Sequence, residues 1–288
     1  MSKPKLPILV FTDLDGTLLD HDSYSFSAAT NAINKLKMLN IPIIPITSKT
    51  LSELDALLID LDLNSPVIAE NGGIIALPKG QLKGFKSDIS YKNFDVLQLS
   101  PVYSVINHTL RGIKEKHKFK FSGFSDMTVK TVAELTGLSD VQAYQAKERL
   151  CSEPLVWQDS PENLQRFEKI IDDMDFSLTR GGRFYHVMGK ANKGRSMLKL
   201  ASLYPGNSLT IALGDSPNDI SMLSVAEFSV VINRKNDLPL LLDNKPDLFY
   251  QTIACGPQGW QEFFDYFFEN FVSEDNNEII NIKVDDNG

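Results

Sequence analysis

The chain has little cysteine. Cys151 and Cys255 are the only two in 288 residues, and they stand far apart, outside any CxxC or Cys/His spacing, which excludes a disulfide scaffold and a zinc or redox site built on that spacing. Long apolar runs are also missing. No stretch approaches the roughly 18 residues of a membrane-spanning helix, and the start MSKPKLPILVFTDLDG reaches charge too soon for a secretory signal, so a cytosolic protein without a membrane partner is expected. Positive charge is short as well. Against 37 Asp and Glu there are 29 Lys and Arg, a net of −8, and such a surface repels nucleic acid. Half of that excess lies in residues 272–288, where Glu274, Asp275, Glu278, Asp285 and Asp286 face only Lys283. This end reads as a solvated acidic tail with one short strand at 279–284. Internal repeats and low-complexity linkers are absent.

The composition, 42% hydrophobic and 23% charged with 17 Gly and 14 Pro, is that of a folded globule, and the length favours two domains. Apolar runs at 8–12 and 41–46 flank a helical pattern at 29–39, a β-α-β unit. Thr50 and Glu53 form a capping box for a helix over 51–61, and a strand at 66–69 turns through Asn71-Gly72 into another at 74–77. A second β-α-β stretch covers a helix at 192–204, a strand at 209–213, a helix at 220–225 and a strand at 228–232. Between the two stretches the text changes to helices at 96–116, 129–135, 141–150 and 162–172, with strands at 155–157, 176–179 and 184–187. The fold class is therefore α/β: a parallel-sheet core from 1–84 plus 189–271, with an inserted α+β domain at 85–188.

In FTDLDGTLL, Asp13 and Asp15 follow a buried strand, at the strand end where open α/β sheets collect ligands. In LGDSPND, Asp215 and Asp219 repeat that arrangement. Four carboxylates meeting in one crevice repel one another unless a hard cation sits among them, and oxygen ligands suit Mg²⁺. Two independent polar turns are the alternative. Ser48, between a strand and a helix, offers a hydroxyl to a phosphate or serves only as an N-cap. Lys193 in GKANKGRS is the cation expected to face the same crevice, with Lys190 as competitor.

In this order, Asp13 and Asp15, Ser48, Lys193, and Asp215 with Asp219 resemble the four motifs of haloacid dehalogenase superfamily phosphatases. The insert resembles their large-cap, Cof-type branch, and the strings IAENGG, SEPLVW and RGGRFYH are similar to mannosyl-3-phosphoglycerate phosphatases. The resemblance implies a Rossmann-like core with a substrate-selecting cap and an Mg²⁺-dependent phosphomonoesterase acting on a small phosphorylated sugar-glycerate. In that scheme Asp13 is the nucleophile, Asp15 the acid and base, and Ser48 and Lys193 the phosphoryl holders. The metal is held by Asp13, the Asp15 carbonyl, Asp215 and Asp219, and Asn218 helps to orient the site. Arg180, Gly181, Gly182 and Arg183 would receive a carboxylate, with Glu70, Asn71 and His186 as further substrate contacts. Each of these has a plain structural alternative: a Gly-Gly hairpin, an Asn-Gly turn, a strand histidine.

Other substrates stay open at this point, among them glucosyl-3-phosphoglycerate and simpler sugar phosphates, as do phosphoryl transfer to a sugar and a non-catalytic sensor. A nucleotide phosphate loop is also approached at Gly189, Gly194, Arg195 and Ser196, but Arg195 stands where that loop needs lysine.

Overall fold

The computed structural model describes residues 7–82, 85–181, 184–204, 206, 208–235, 240–243 and 245–272. The chain forms two compact units, Met1–Ile46 with Met197–Gly288, and Thr47–Ser196. The boundaries read at 84/85 and 188/189 both fall inside the second unit. The strand expected at 279–284 and the junction at Gly84 lie outside the described residues.

In the first unit, Ile8–Thr12 is central because all five side chains are buried, the demand a parallel strand makes when both faces are covered. It pairs in parallel with Leu209–Gly214 on one side and Ile43–Pro45 on the other. Phe228–Asn233 and then Leu248–Cys255 extend the sheet to five strands. Pro42, Pro45 and the shortness of Ile43–Pro45 agree, since this strand is an edge of the sheet. Gly256–Phe271 packs as an aromatic helix, with Trp260, Phe263, Phe264 and Phe267 fully buried.

The second unit carries two antiparallel four-stranded sheets. One joins Val67–Ala69, Ile74–Pro78, Phe94–Gln98 and Ile89–Tyr91. Here the helix expected over 96–116 is corrected: residues 94–98 are a strand, and the helix is Tyr103–His117. Val96 follows a helical spacing in sequence, but its backbone pairs with Ala76, a partner twenty residues away that local periodicity cannot register. The other sheet has the order Phe121–Gly123, Ser152–Trp157, Phe184–Gly189, Phe176–Gly181. One face is sealed by Ile106, Leu110 and Ile113 of the first long helix and by Phe167 and Ile171 of Pro161–Asp172, packed on Phe121, Leu155 and Val187. A smaller cluster of Phe124, Val132, Ala143 and Ala146 joins Val129–Thr136 to Asp140–Lys147.

Candidate active site

In the first unit the strand ends converge as expected. Asp13 follows its strand directly and its N–H still donates to Leu213 O at 2.9 Å, so it stands beside the end of Leu209–Gly214, which delivers Asp215. Trp260 Nε1 donates to Thr12 Oγ1 at 3.1 Å, and that hydroxyl donates to Asp13 O at 2.7 Å. The peptide bearing Asp13 is thereby tied to the aromatic helix. Gly16 closes the loop with φ +85°, and a Cβ there would stand 2.9 Å from Asp215 Oδ2. Glycine is required on both counts, conformation and space.

Asp13, Asp215 and Asp219 are buried, and one carboxylate oxygen from each lies within 4.8 Å of the others. Asp219 Oδ2 accepts from the N–H groups of Asp215 (3.2 Å) and Ser216 (3.0 Å) and from Ser216 Oγ (3.0 Å). Asp215 Oδ1 accepts from Thr17 Oγ1 at 3.1 Å, while Arg234 Nε lies 3.5 Å from its Oδ2. Three buried carboxylates at this separation form a donor set of hard oxygens whose mutual repulsion a divalent cation relieves. The residues fit Mg²⁺. The carboxylate of Asp15 is not part of this trio; the chain around it folds through a bridge between Asp15 and Leu19.

In the second unit, three segments meet. Asn71 N donates to Thr47 O and Glu70 N to Lys49 O, so the segment carrying Ser48 is pinned to the 70–72 turn. A Cβ on Gly72 would fall 2.4 Å from Asn192 O and 2.9 Å from Lys193 N, and Ser196 Oγ donates to Gly72 O at 2.6 Å. The turn therefore seats the start of the helix Lys193–Ala201. Lys193 is 1% exposed, whereas Lys190 forms an ion pair with Asp172. Capping of the helix Leu51–Asp60 falls to Thr50, with Glu53 returning the bond, so Ser48 is not the cap, and its hydroxyl makes no hydrogen bond among the described residues.

Other expected contacts are placed differently. Glu70 is fully buried, and its carboxylate accepts from Leu150 N (2.8 Å), Cys151 N (3.1 Å) and Ser152 Oγ (2.6 Å). Both oxygens accept from the chain itself, the role of a clamp between the turn and the 150–152 segment. Asn71 is 2% exposed in the left-handed region at φ +56°, the conformation the Asn-Gly turn demands. His186 is buried, its Nδ1 makes no hydrogen bond among the described residues, and burial together with the positive charges of Arg149 and Lys193 pushes its pKa down to about 3. A neutral imidazole results at any ordinary pH. Arg180 is exposed opposite Tyr185, its guanidinium 5.7 Å from that ring. Because neighbouring strand residues alternate faces, Arg180 and His186 lie on opposite sides of the sheet, and the structure does not bring them together. Gly182 and Arg183 lie outside the described residues.

Sequence reasoning missed Arg149. It is 8% exposed and donates from Nη1 to Ser48 O at 2.9 Å. Its position depends on the 145–152 connection lying against the Ser48 segment, and no local pattern announces that.

Comparison with known proteins agrees with this geometry. The family model for haloacid dehalogenase-like hydrolases matches residues 10–238. A glucosyl-3-phosphoglycerate/mannosyl-3-phosphoglycerate phosphatase of Persephonella marina is 36% identical over 88% of this chain and 95% of its own, and one of the same name from Methanococcoides burtonii is 34% identical over 88% and 94%. Among solved structures, a haloalkanoate-superfamily phosphatase, BT1666 from Bacteroides thetaiotaomicron, superposes with a TM-score of 0.66 over 93% of this chain and 97% of its own at 17% identity, a likeness of fold. No helix among the described residues is long and apolar enough to cross a membrane. With the family's fold, its matched model and the buried carboxylate trio together, the chain belongs to the haloacid dehalogenase-like hydrolases and is a phosphatase.

Proposed function

We propose that this chain is an Mg²⁺-dependent phosphomonoesterase that converts mannosyl-3-phosphoglycerate to mannosylglycerate and phosphate. The observation that carries the chemistry is the meeting of Asp13, Asp215 and Asp219 within 4.8 Å; the substrate rests on relatives named for both the mannosyl and the glucosyl ester. A carboxylate oxygen of Asp13 attacks phosphorus in line, the bond to the sugar-glycerate oxygen breaks, and Asp15 gives that oxygen its proton. Asp15, now ionised, takes a proton from water, which attacks phosphorus and breaks its bond to Asp13. Phosphate leaves and both aspartates are restored. Asp13, Asp215 and Asp219, with the Asp15 carbonyl, would hold the metal, whose charge offsets that of the phosphoryl oxygens. Ser48 and Lys193 hold those oxygens.

The segment 85–188 serves as the substrate-selecting cap. His186, neutral and in want of a partner at Nδ1, is suited to a sugar hydroxyl, and Arg183 is the guanidinium offered to the glycerate carboxylate. The enzyme works in the cytosol on a compatible-solute precursor. Phosphate release from mannosyl- and glucosyl-3-phosphoglycerate, measured in parallel with added Mg²⁺ and with Asp13→Ala as the blank, tests this. Preference for the mannosyl ester supports it, equal rates make both esters substrates and overturn the mannosyl assignment, reversed rates move the substrate to the glucosyl ester, and turnover of simple sugar phosphates alone removes the glycerate assignment.

A further inference from the structure

We infer that Arg149 is a positioning residue for phosphoryl transfer, acting through the main chain of Ser48; the inference rests on the proposed role of Ser48 as a phosphoryl holder. Arg149 lies nearly buried just beyond the helix Asp140–Lys147, and its guanidinium fork faces four segments at once. Nε donates to Ala146 O at 3.0 Å, closing its own helix end. Nη1 divides between Ser48 O at 2.9 Å and Ser152 Oγ at 3.2 Å, and Nη2 faces the Glu53 carboxylate at 4.0 Å. Ser152 Oγ in turn donates to Glu70 Oε2 at 2.6 Å. The arginine thus ties the segment bearing Ser48 to the strand Ser152–Trp157 and to the 70–72 turn on which the Lys193 helix is seated.

This contact differs from ordinary packing in what it fixes. A hydrogen bond to the Ser48 carbonyl sets the plane of the peptide that follows Ser48, and with it the direction of the side chain and of the following N–H groups. Thr50 Oγ1 donating to Gln145 O at 2.9 Å, and Ser52 Oγ donating to Glu148, hold the same two segments together a few residues on. Neither of them touches Ser48. Among the described residues only Arg149 hydrogen-bonds Ser48 from the 145–152 connection, and only an arginine can serve all three acceptors from one rigid plane. A hydroxyl that must meet a phosphoryl oxygen loses its effect when displaced by a fraction of a bond length.

The test is a double-mutant cycle on Mg²⁺-dependent phosphate release, using mannosyl-3-phosphoglycerate and p-nitrophenyl phosphate and reading whichever ester turns over faster. Arg149→Ala is expected to lower kcat about 10- to 100-fold with KM changed less than about threefold. In the Ser48→Ala background the same change is expected to cost less than about threefold, because the group being positioned is gone. Full multiplication of the two losses overturns the inference while leaving the role of Ser48 intact. An unimpaired Ser48→Ala instead overturns the role of Ser48 and the inference with it. Should Arg149→Ala fail to fold, Arg149→Lys, which keeps the charge and loses the fork, enters the same cycle and is judged by the same criterion.

Discussion

Glu70 offers the sharpest trial of whether the 70–72 turn is a clamp or a substrate contact. Among the described residues its carboxylate is the only acceptor for Leu150 N and Cys151 N, and Ser152 Oγ also donates to it. In Glu70→Ala the serine hydroxyl can rotate to another partner, but two N–H groups, that of Cys151 buried and that of Leu150 part-buried, are left without one. At about 1–3 kcal/mol for each orphaned donor, the loss is about 2–6 kcal/mol. Glu70→Gln keeps one oxygen. Its amide is best placed with that oxygen toward Cys151 and Ser152, which sets its NH₂ against the N–H of Leu150 and costs about 1–3 kcal/mol. The second unit spans Thr47–Ser196, and for a domain of that size about 1 kcal/mol moves the midpoint by about 2–4 °C. Thermal unfolding followed by circular dichroism is therefore expected to fall by about 4–24 °C for Glu70→Ala and by about 2–12 °C for Glu70→Gln, with a modest effect on KM. A Glu70→Gln protein that melts with the wild type while its KM for the sugar ester rises tenfold would refute the clamp and restore Glu70 to the substrate.

Two further outcomes follow from the buried charges. His186 has a folded pKa depressed to about 3 against about 6.5 unfolded, so its contribution is fully present above pH 6.5 and is lost as the pH falls toward 3. Between pH 8 and pH 5 the unfolded chain gains this proton and the folded one does not, a loss of about 2 kcal/mol; urea unfolding at the two pH values should show it in the wild type and show it abolished in His186→Leu. Mg²⁺ bound by Asp13, Asp215 and Asp219 should stabilise the folded protein by about 2.7 kcal/mol at a hundred times its dissociation constant, an upward shift in melting that chelation with EDTA reverses and Asp215→Asn removes.

The parts legible in the sequence are those whose cause is local. Ile8–Thr12 reads as buried on both faces because every residue in it is apolar or small, and the Thr50–Glu53 capping box is complete within four residues. The meeting of Asp13, Asp215 and Asp219 was legible for a related reason, since acids and a glycine at the end of a buried strand mark a ligand site before any pairing is known. Causes at a distance were not. Phe94–Gln98 became a strand through Ile74–Pro78. Leu248–Cys255 and Gly256–Phe271 have no counterpart in the sequence analysis, although proline belongs in the first turn of a helix, and Trp260 reaches Thr12 from 248 positions away.

The cap-sheet register carries that lesson into the site itself. RGGRFYH presents two arginines and a histidine within seven residues, and as text they read as one cluster. Folded, the strand alternation divides Arg180 from His186. Tyr185 and Val187 face the helices with Leu155 and Leu178, and Arg180, opposite Tyr185, shares their side. His186 stands opposite Thr179 and Pro154, and Met188 opposite Ser152, so His186 shares its face with the serine that binds both Arg149 and Glu70. A single face of the sheet therefore carries the neutral histidine and the contacts that reach Ser48. Specificity built on this sheet has to be built on that face, by residues that alternate in sequence with those holding the core, and a compact motif is a poor guide to it.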